Sequence, residues 1–330
     1  MDTGPTETWP VLQERLKNIP ADRQGRRHID LAIVSHIDHD HIGAARFLFA
    51  DEELGLTFGD VWFNARHHLD RSPPEGDELS RLLSAPGRPL SWNLAFGGGA
   101  VVTPDDQLFL ELPSSSGTPR ITLLSPTNKR LLRLASVWDA EQEKLRRGES
   151  DIEAERGRSR ANVAHLLADL QAIADETSRK DSTPANGSSI AILVEHNGAS
   201  ALLAADAFPT VLGSALLKLL RKRGLAKPLA VDILKVSHHG SRANLIDDLL
   251  KVVRARDYVL STDNTRFGHP DDEAVARIVL RGGNSPRLCF NYATDDNRRW
   301  ADQELQDKYG YQAVLPRQGV PSVTLTCSGH

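Results

Sequence analysis

Residues Ser35 to Gly43 read S-H-I-D-H-D-H-I-G, which sets three imidazoles and two carboxylates within the six positions from His36 to His41. They follow directly on I-D-L-A-I-V, Ile29 to Val34, an apolar run with the character of a buried strand. A strand cannot carry so many ionisable groups into a core, because each one left unpaired there costs several kcal/mol. Such a stretch is therefore solvated, paired, or wrapped around a cation. His and Asp are ligands for divalent metals, and the end of a rigid strand is where a protein can hold them in fixed geometry.

Composition narrows the class without naming a chemistry. The 330 residues are 40% hydrophobic and 25% charged, ordinary for a globular enzyme with ample core. A formal charge of −4 excludes a uniformly basic nucleic-acid binder, so any such contact must use a local patch. Cys289 and Cys327 are too few for a disulfide framework or a zinc finger, and are expected to be reduced thiols in a cytoplasmic protein. No leader peptide and no apolar run of about 18 residues is visible, so no membrane partner is expected.

Taken in order, the first half predicts a helix over Trp9 to Ile19, the Ile29 to Val34 strand, a helix from Gly43 to Asp51 and a strand over Asp60 to Asn64. A Pro- and Gly-rich excursion with a helix at Gly76 to Leu83 comes next, then strands over Val101 to Leu112 and Ile121 to Leu124. A long helical region from Thr127 to Arg147, a charged connector at 148–162 and a helix over Val163 to Ala174 lead to the second half. There the pattern alternates. Strands are predicted at Ser189 to Glu195, Ala199 to Ala204, Ala230 to Val236, Tyr258 to Ser261 and Arg287 to Tyr292, with helices at Val211 to Arg223, Leu245 to Arg254 and Glu273 to Leu280. A helix over Ala301 to Lys308 and a strand over Ser322 to Cys327 close the chain. Strand and helix repeated in this way predict a layered α/β fold with functional residues at strand ends.

Three later positions repeat a polar ligand type at the end of an apolar strand. Asp206 closes A-L-L-A-A-D-A, His238 and His239 close V-D-I-L-K-V-S-H-H-G-S, and His269 lies in F-G-H-P. Each alone is weak; together with the first cluster they supply donors for two cations.

In this order the motifs resemble the metallo-β-lactamase superfamily of hydrolases, whose H-x-H-x-D-H motif at a strand end is followed by a bridging Asp and a later His. His36, Asp38, Asp40 and His41 match in register, with Asp38 where most members have His. With Asn186 and Ser189 ahead of a strand, Ala205-Asp206-Ala207, S-H-H-G-S and G-H-P, the chain is similar to the hydrolase domain of the DNA-uptake channel protein ComEC and its soluble relatives, an H-x-D-x-D-H subgroup.

The resemblance implies one four-layer αβ/βα sandwich over residues 1–330, with insertions at about 65–100 and 125–185 and a C-terminal extension from about 285. It implies two divalent ions, Zn or Mn. His36 and Asp38 would hold one, Asp40 and His41 the other, and Asp206 would bridge them. Either His238 or His269 would complete the second site, and the other would face the substrate with His239. Asp40, beside metal and water, is the expected orienter or proton shuttle. Asn186 or Ser188 would occupy the place of the family's middle His, since His67 and His68 come early and His165 sits in a helical pattern. The family sets one or more strands before the D-T-G turn, here Asp2-Thr3-Gly4, so the resemblance implies either a start that lies upstream or a first sheet that lacks its first strands and leaves an edge for a protein partner or a second copy.

Replacing His by Asp at position 38 makes the site harder, favouring Mn²⁺ or Mg²⁺ and phosphate oxygen. The expected function is a metal-dependent hydrolase of phosphodiesters in nucleic acid or a nucleotide. The alternatives are an acyl hydrolase of the lactonase or lactamase kind and a non-catalytic metal-stabilised module. The blander expectations are surface histidines for His67 and His68, a solvated helix end for Lys218 to Arg223, and a turn for Gly97 to Gly99.

Overall fold

A computed structural model describes residues 1–70, 78–85, 90–104, 109–111, 117, 119–147, 160–265, 268–320 and 322–327. Alternation of apolar side chains gives two sheets among these residues. The first pairs β1 (Arg27–Ile33) with β2 (Leu56–Trp62) in parallel. The second has eight strands, β3 (Phe109–Glu111), β4 (Arg120–Ser125), β5 (Ala191–His196), β6 (Ala199–Leu203), β7 (Leu229–Lys235), β8 (Val253–Leu260), β9 (Arg287–Phe290) and β10 (Gln312–Val314), arranged in that sequence across the sheet. β3 to β6 run antiparallel to one another, and β6 to β10 run parallel.

Three apolar clusters show the layering. Ile33 and Trp62 from the first sheet meet Ile121, Leu123, Ile190 and Ile192 from the second, filling the space between the sheets. On the outer face of the first sheet, Val34, Leu56 and Val61 pack with Leu48 and Phe49 of the Ala45–Ala50 helix. On the outer face of the second, Leu193, Leu202 and Leu234 pack with Leu216 and Leu219 of the Pro209–Arg223 helix and Val275 and Ile278 of the Asp272–Arg281 helix. Helix, sheet, sheet, helix is the mixed α/β arrangement of the metallo-β-lactamase fold.

This topology positions the site. Because β6, β7 and β8 are parallel, their carboxyl ends share one edge, where Asp206, the His238–His239 pair and Ser261 follow in turn. The Ile190 amide donates to the Ser35 carbonyl at 3.0 Å, which ties the start of β5 to the end of β1.

Several expectations are corrected locally. The predicted Leu245 to Arg254 helix is only Asp247–Leu250, and β8 begins at Val253, because Val253, Ala255 and Asp257 alternate inward against exposed Arg254. The long helical region breaks into Asn128–Ala135 and Trp138–Arg147. Residues 322–327 form no strand. Of the predicted strand at 101–112, only Phe109–Glu111 is a strand among the described residues, and the connector residues 148–159 lie outside them.

Candidate metal centre

The centre is assembled from four strand ends. His36 and the short His39–Ile42 helix follow β1, Asp206 follows β6, His238 and His239 follow β7, and Ser261 follows β8. The S-H-H-G-S segment is a 3₁₀ turn in which His238 (φ 48°) and His239 (φ 53°) are both left-handed. Two adjacent non-glycine residues in that region carry strain, which persists where the surroundings over-determine it. Here the His238 amide donates to Ala205 O at 2.9 Å, and Ser241 N to His238 O at 2.8 Å. Gly240 (φ 92°) completes the turn, and a Cβ there would lie 2.7 Å from Pro270 Cβ.

One pattern governs the rings: each Nδ1 is held from outside, and each Nε2 faces the interior. His41 Nδ1 is 3.0 Å from Asp2 Oδ2, and His239 Nδ1 is 2.7 Å from the Ser261 carbonyl. Both partners only accept, so a proton is fixed on Nδ1 and Nε2 is the nitrogen turned inward. His36 Nδ1 contacts the Ser35 and Ser189 hydroxyls at 2.9 and 3.2 Å. His238 Nδ1 faces Asn244 Oδ1 at 3.1 Å and Asp181 Oδ2 at 3.4 Å.

Inside, the donors crowd together. His41 Nε2 is 3.1 Å from His239 Nε2, 3.2 Å from Asp206 Oδ1 and 3.9 Å from Asp40 Oδ2. Asp40 Oδ2 is 3.1 Å from His239 Nε2, and Asp206 Oδ2 is 3.8 Å from His238 Nε2. Two groups converge within 4.8 Å, His36 with His41 and Asp206, and Asp40 with His41 and His239.

The donor set fits divalent cations. Ligands at about 2.0–2.2 Å from one ion stand somewhat over 3 Å apart, close to these separations. His36 Nε2 and Asn186 Oδ1 are moreover buried without a hydrogen-bond partner among the described residues, which is costly unless a cation takes their lone pairs.

The electrostatics are those of a site balanced for positive charge. Burial opposes the charged form of His41, but Asp206, Asp2 and Asp40 outweigh it and hold its pKa well above the ordinary imidazole value. Burial likewise opposes protonation of His238, yet Asp206 and Asp181 raise it to about 10. Against their own burial, Asp40 is pulled down by His41 and His239, and Asp206 well down by His41, His238 and His239. Asp2 falls to about 2 under the influence of His41 and Ser35, burial notwithstanding. His239 is lowered, by burial first and then by Lys235.

The structure brings His36, Asp40, His41, Asp206 and His239 into direct approach, with Asp38 Oδ2 3.5 Å from His36 Nε2. Sequence left His238 or His269 to meet Asp40 and His41; the ring that does so is that of His239. His238 stands across Asp206, and His269, 1% exposed, packs behind it at 5.1 Å between ring centroids. Ser188 Oγ turns back to Ala185 O at 2.6 Å, leaving Asn186 as the polar group beside His238. His165 is exposed on its helix. Sequence assigned no role to Asp2, Asp181 or Asn244. Only Asp2 carried a signal, as the head of the D-T-G turn.

No helix among the described residues is long and apolar enough to cross a membrane. A search of curated proteins returns no match. Residues 1–113, which include the D-T-G turn and the first ligand cluster but not Asp206 or the later histidines, match the family model of the metallo-beta-lactamase superfamily. Through this first stretch the chain is similar to a superfamily made up mostly of metal-dependent hydrolases.

Proposed function

We propose that this protein is a metal-dependent hydrolase with a dinuclear centre, acting on phosphodiester bonds of nucleic acid or a nucleotide. The observation that carries the proposal is the convergence of inward-facing Nε2 atoms and carboxylate oxygens on one buried interior, with His36 Nε2 left without a hydrogen bond among the described residues. His36, Asp38 and Asp206 would hold one ion, and Asp40, His41 and His239 the other, with Asp206 shared. Zn²⁺ or Mn²⁺ bound there would supply the Lewis acidity that activates water and offsets developing negative charge.

The chain's own groups do the rest. Asp40 is held ionised, so it would orient a water as an acceptor. His238 is the most open of the four rings, with its side chain 21% exposed against 13% for His239, 3% for His41 and 0% for His36. Its Nε2 is where a leaving oxygen would collect a proton, with Nδ1 steadied by Asp181 and Asn244. Three carboxylates in the centre, Asp38 among them, favour hard cations and phosphate oxygen over a lactam carbonyl.

Purified protein reconstituted with Mn²⁺ or Zn²⁺ is to be assayed on labelled nucleic acid, bis-p-nitrophenyl phosphate and a lactone. Turnover of the phosphodiesters, lost in Asp206→Ala, is the expected result. Lactone turnover alone would move the substrate to acyl compounds, and no turnover of any of the three would remove the hydrolase.

A further inference from the structure

A pocket of about 300 Å³ lies between the start of the Asn128–Ala135 helix and the Pro209–Arg223 helix. Leu124 and Val211 contribute to its apolar floor, Thr127, Thr210 and Ser214 bring hydroxyls, and Lys218 an ammonium. That is the size and make-up of a ligand site, an apolar cleft with a few convergent polar groups. Beside it stands Arg130, half-buried, its guanidinium 4.6 Å over the Phe208 ring. Among the described residues neither Arg130 nor Lys218 has a carboxylate partner. The other basic residue of that stretch that is partly buried behaves differently, since Arg223 is clamped by Glu195 at 2.8 and 2.6 Å.

Arg130 also lies against two segments that run into the metal centre. Phe208 is two residues after Asp206, a span of at most about 7 Å. Gly187, whose Cβ position would be 3.5 Å from Arg130 Cδ, follows Asn186, and the Asn186 amide lies 3.4 Å from His238 Nδ1. A half-buried guanidinium without an ion pair among the described residues, stacked on a ring two residues from Thr210 of a pocket with no acidic side chain in its lining, is arranged for an anion that comes from outside. The planar fork matches phosphate, and Lys218 adds a second charge further along the wall.

We propose that Arg130 and Lys218 form a subsite for a phosphate flanking the scissile one, with the apolar floor taking the adjoining sugar or base, so that the substrate is an oligonucleotide rather than an isolated phosphodiester. This rests on the phosphodiester assignment above, and the test separates the two.

Full-length wild type, Arg130→Gln, Arg130→Lys, Lys218→Gln and the exposed control Lys251→Gln are to be compared in two ways. By fluorescence anisotropy on metal-free protein, Arg130→Gln and Lys218→Gln should each weaken binding of a short single-stranded oligonucleotide about tenfold and lower the salt slope by about 1, with Arg130→Lys between and Lys251→Gln within about twofold of wild type. With metal, the KM for the oligonucleotide should rise about tenfold more than that for bis-p-nitrophenyl phosphate, which has no flanking phosphate. Failure of wild type to bind the oligonucleotide, unchanged binding in the variants, or equal KM losses on both substrates would overturn the subsite. Should Arg130→Gln melt early, Lys218→Gln and Arg130→Lys decide. Should no phosphodiester be turned over, the catalytic assignment fails, while the anisotropy series still tests the subsite.

Discussion

Two histidine clusters stand at the carboxyl ends of the paired strands β1 and β2, and they are built in opposite ways. After β1, His36 and His41 lie with ring centroids 4.1 Å apart among Asp2, Asp40 and Asp206. After β2, His67 and His68 lie 3.8 Å apart and stand edge-on to Trp92 at 4.9 and 4.8 Å. His41 donates from Nδ1 to a carboxylate. His68 accepts at Nδ1 from the Ala65 amide, 3.1 Å away, so its proton sits on the other nitrogen. Charge follows the same division: His41 is held protonated, whereas burial and then the neighbouring His67 lower His68 to about 4. Close imidazoles therefore do not make a cation site by themselves. What makes one is an acceptor outside each ring to fix its proton, and carboxylates inside to balance the ion.

The largest test of that contrast is Asp206→Ala. Removing the carboxylate proposed to be shared should cut phosphodiester turnover by at least ~10³-fold and lower the metal content measured by atomic emission, whereas His67→Phe should lower neither. Next is the outer acceptor. Asp2→Asn leaves every direct donor in place but unfixes the His41 proton, and should weaken metal affinity by about 10–100-fold in a competitive chelator titration; an unchanged affinity would mean that the Nδ1 partner has no such role.

The pH dependence should have opposite signs in the two clusters. A raised folded-state pKa stabilises fully below the unfolded value of about 6.5 and is lost as pH rises through the folded value. With His41 raised and His238 at about 10, EDTA-treated protein should lose melting temperature from about pH 7 to 9, and added metal should restore it. His68, lowered to about 4, contributes an acid-side loss as pH falls below about 6.5, because only the unfolded chain then takes the proton. His68→Phe should flatten that acid limb and leave metal content unchanged. This is the smallest of the expected effects, and a drop in bound metal would place the second cluster in the centre.

The first cluster was legible in the sequence because its ligands are local: a strand end and one helical turn fix His36, Asp38, Asp40 and His41 relative to one another. The choice among later histidines was not. Which ring of S-H-H-G-S meets Asp40 depends on two consecutive left-handed residues, a conformation no side chain there announces. Asp181, in a polar loop, and Asn244 gave no pattern at all, since their partner is 57 and 6 residues away respectively and the contact exists only after β5 and β7 are laid in one sheet. The helix expected at Leu245 to Arg254 failed for a related reason: short apolar runs fit either period, and pairing with β7 decided for strand.

By itself, then, the sequence determined that this chain carries a His and Asp donor cluster just beyond a strand in an α/β fold, because periodicity and side-chain chemistry are properties of neighbours. Only the tertiary structure decided which nitrogen of each ring points inward, which histidine ring lies against Asp40 and His41, and that Arg130 stacks on Phe208 without a carboxylate partner among the described residues. Those outcomes are set by partners far away in the chain, and only packing brings them within reach.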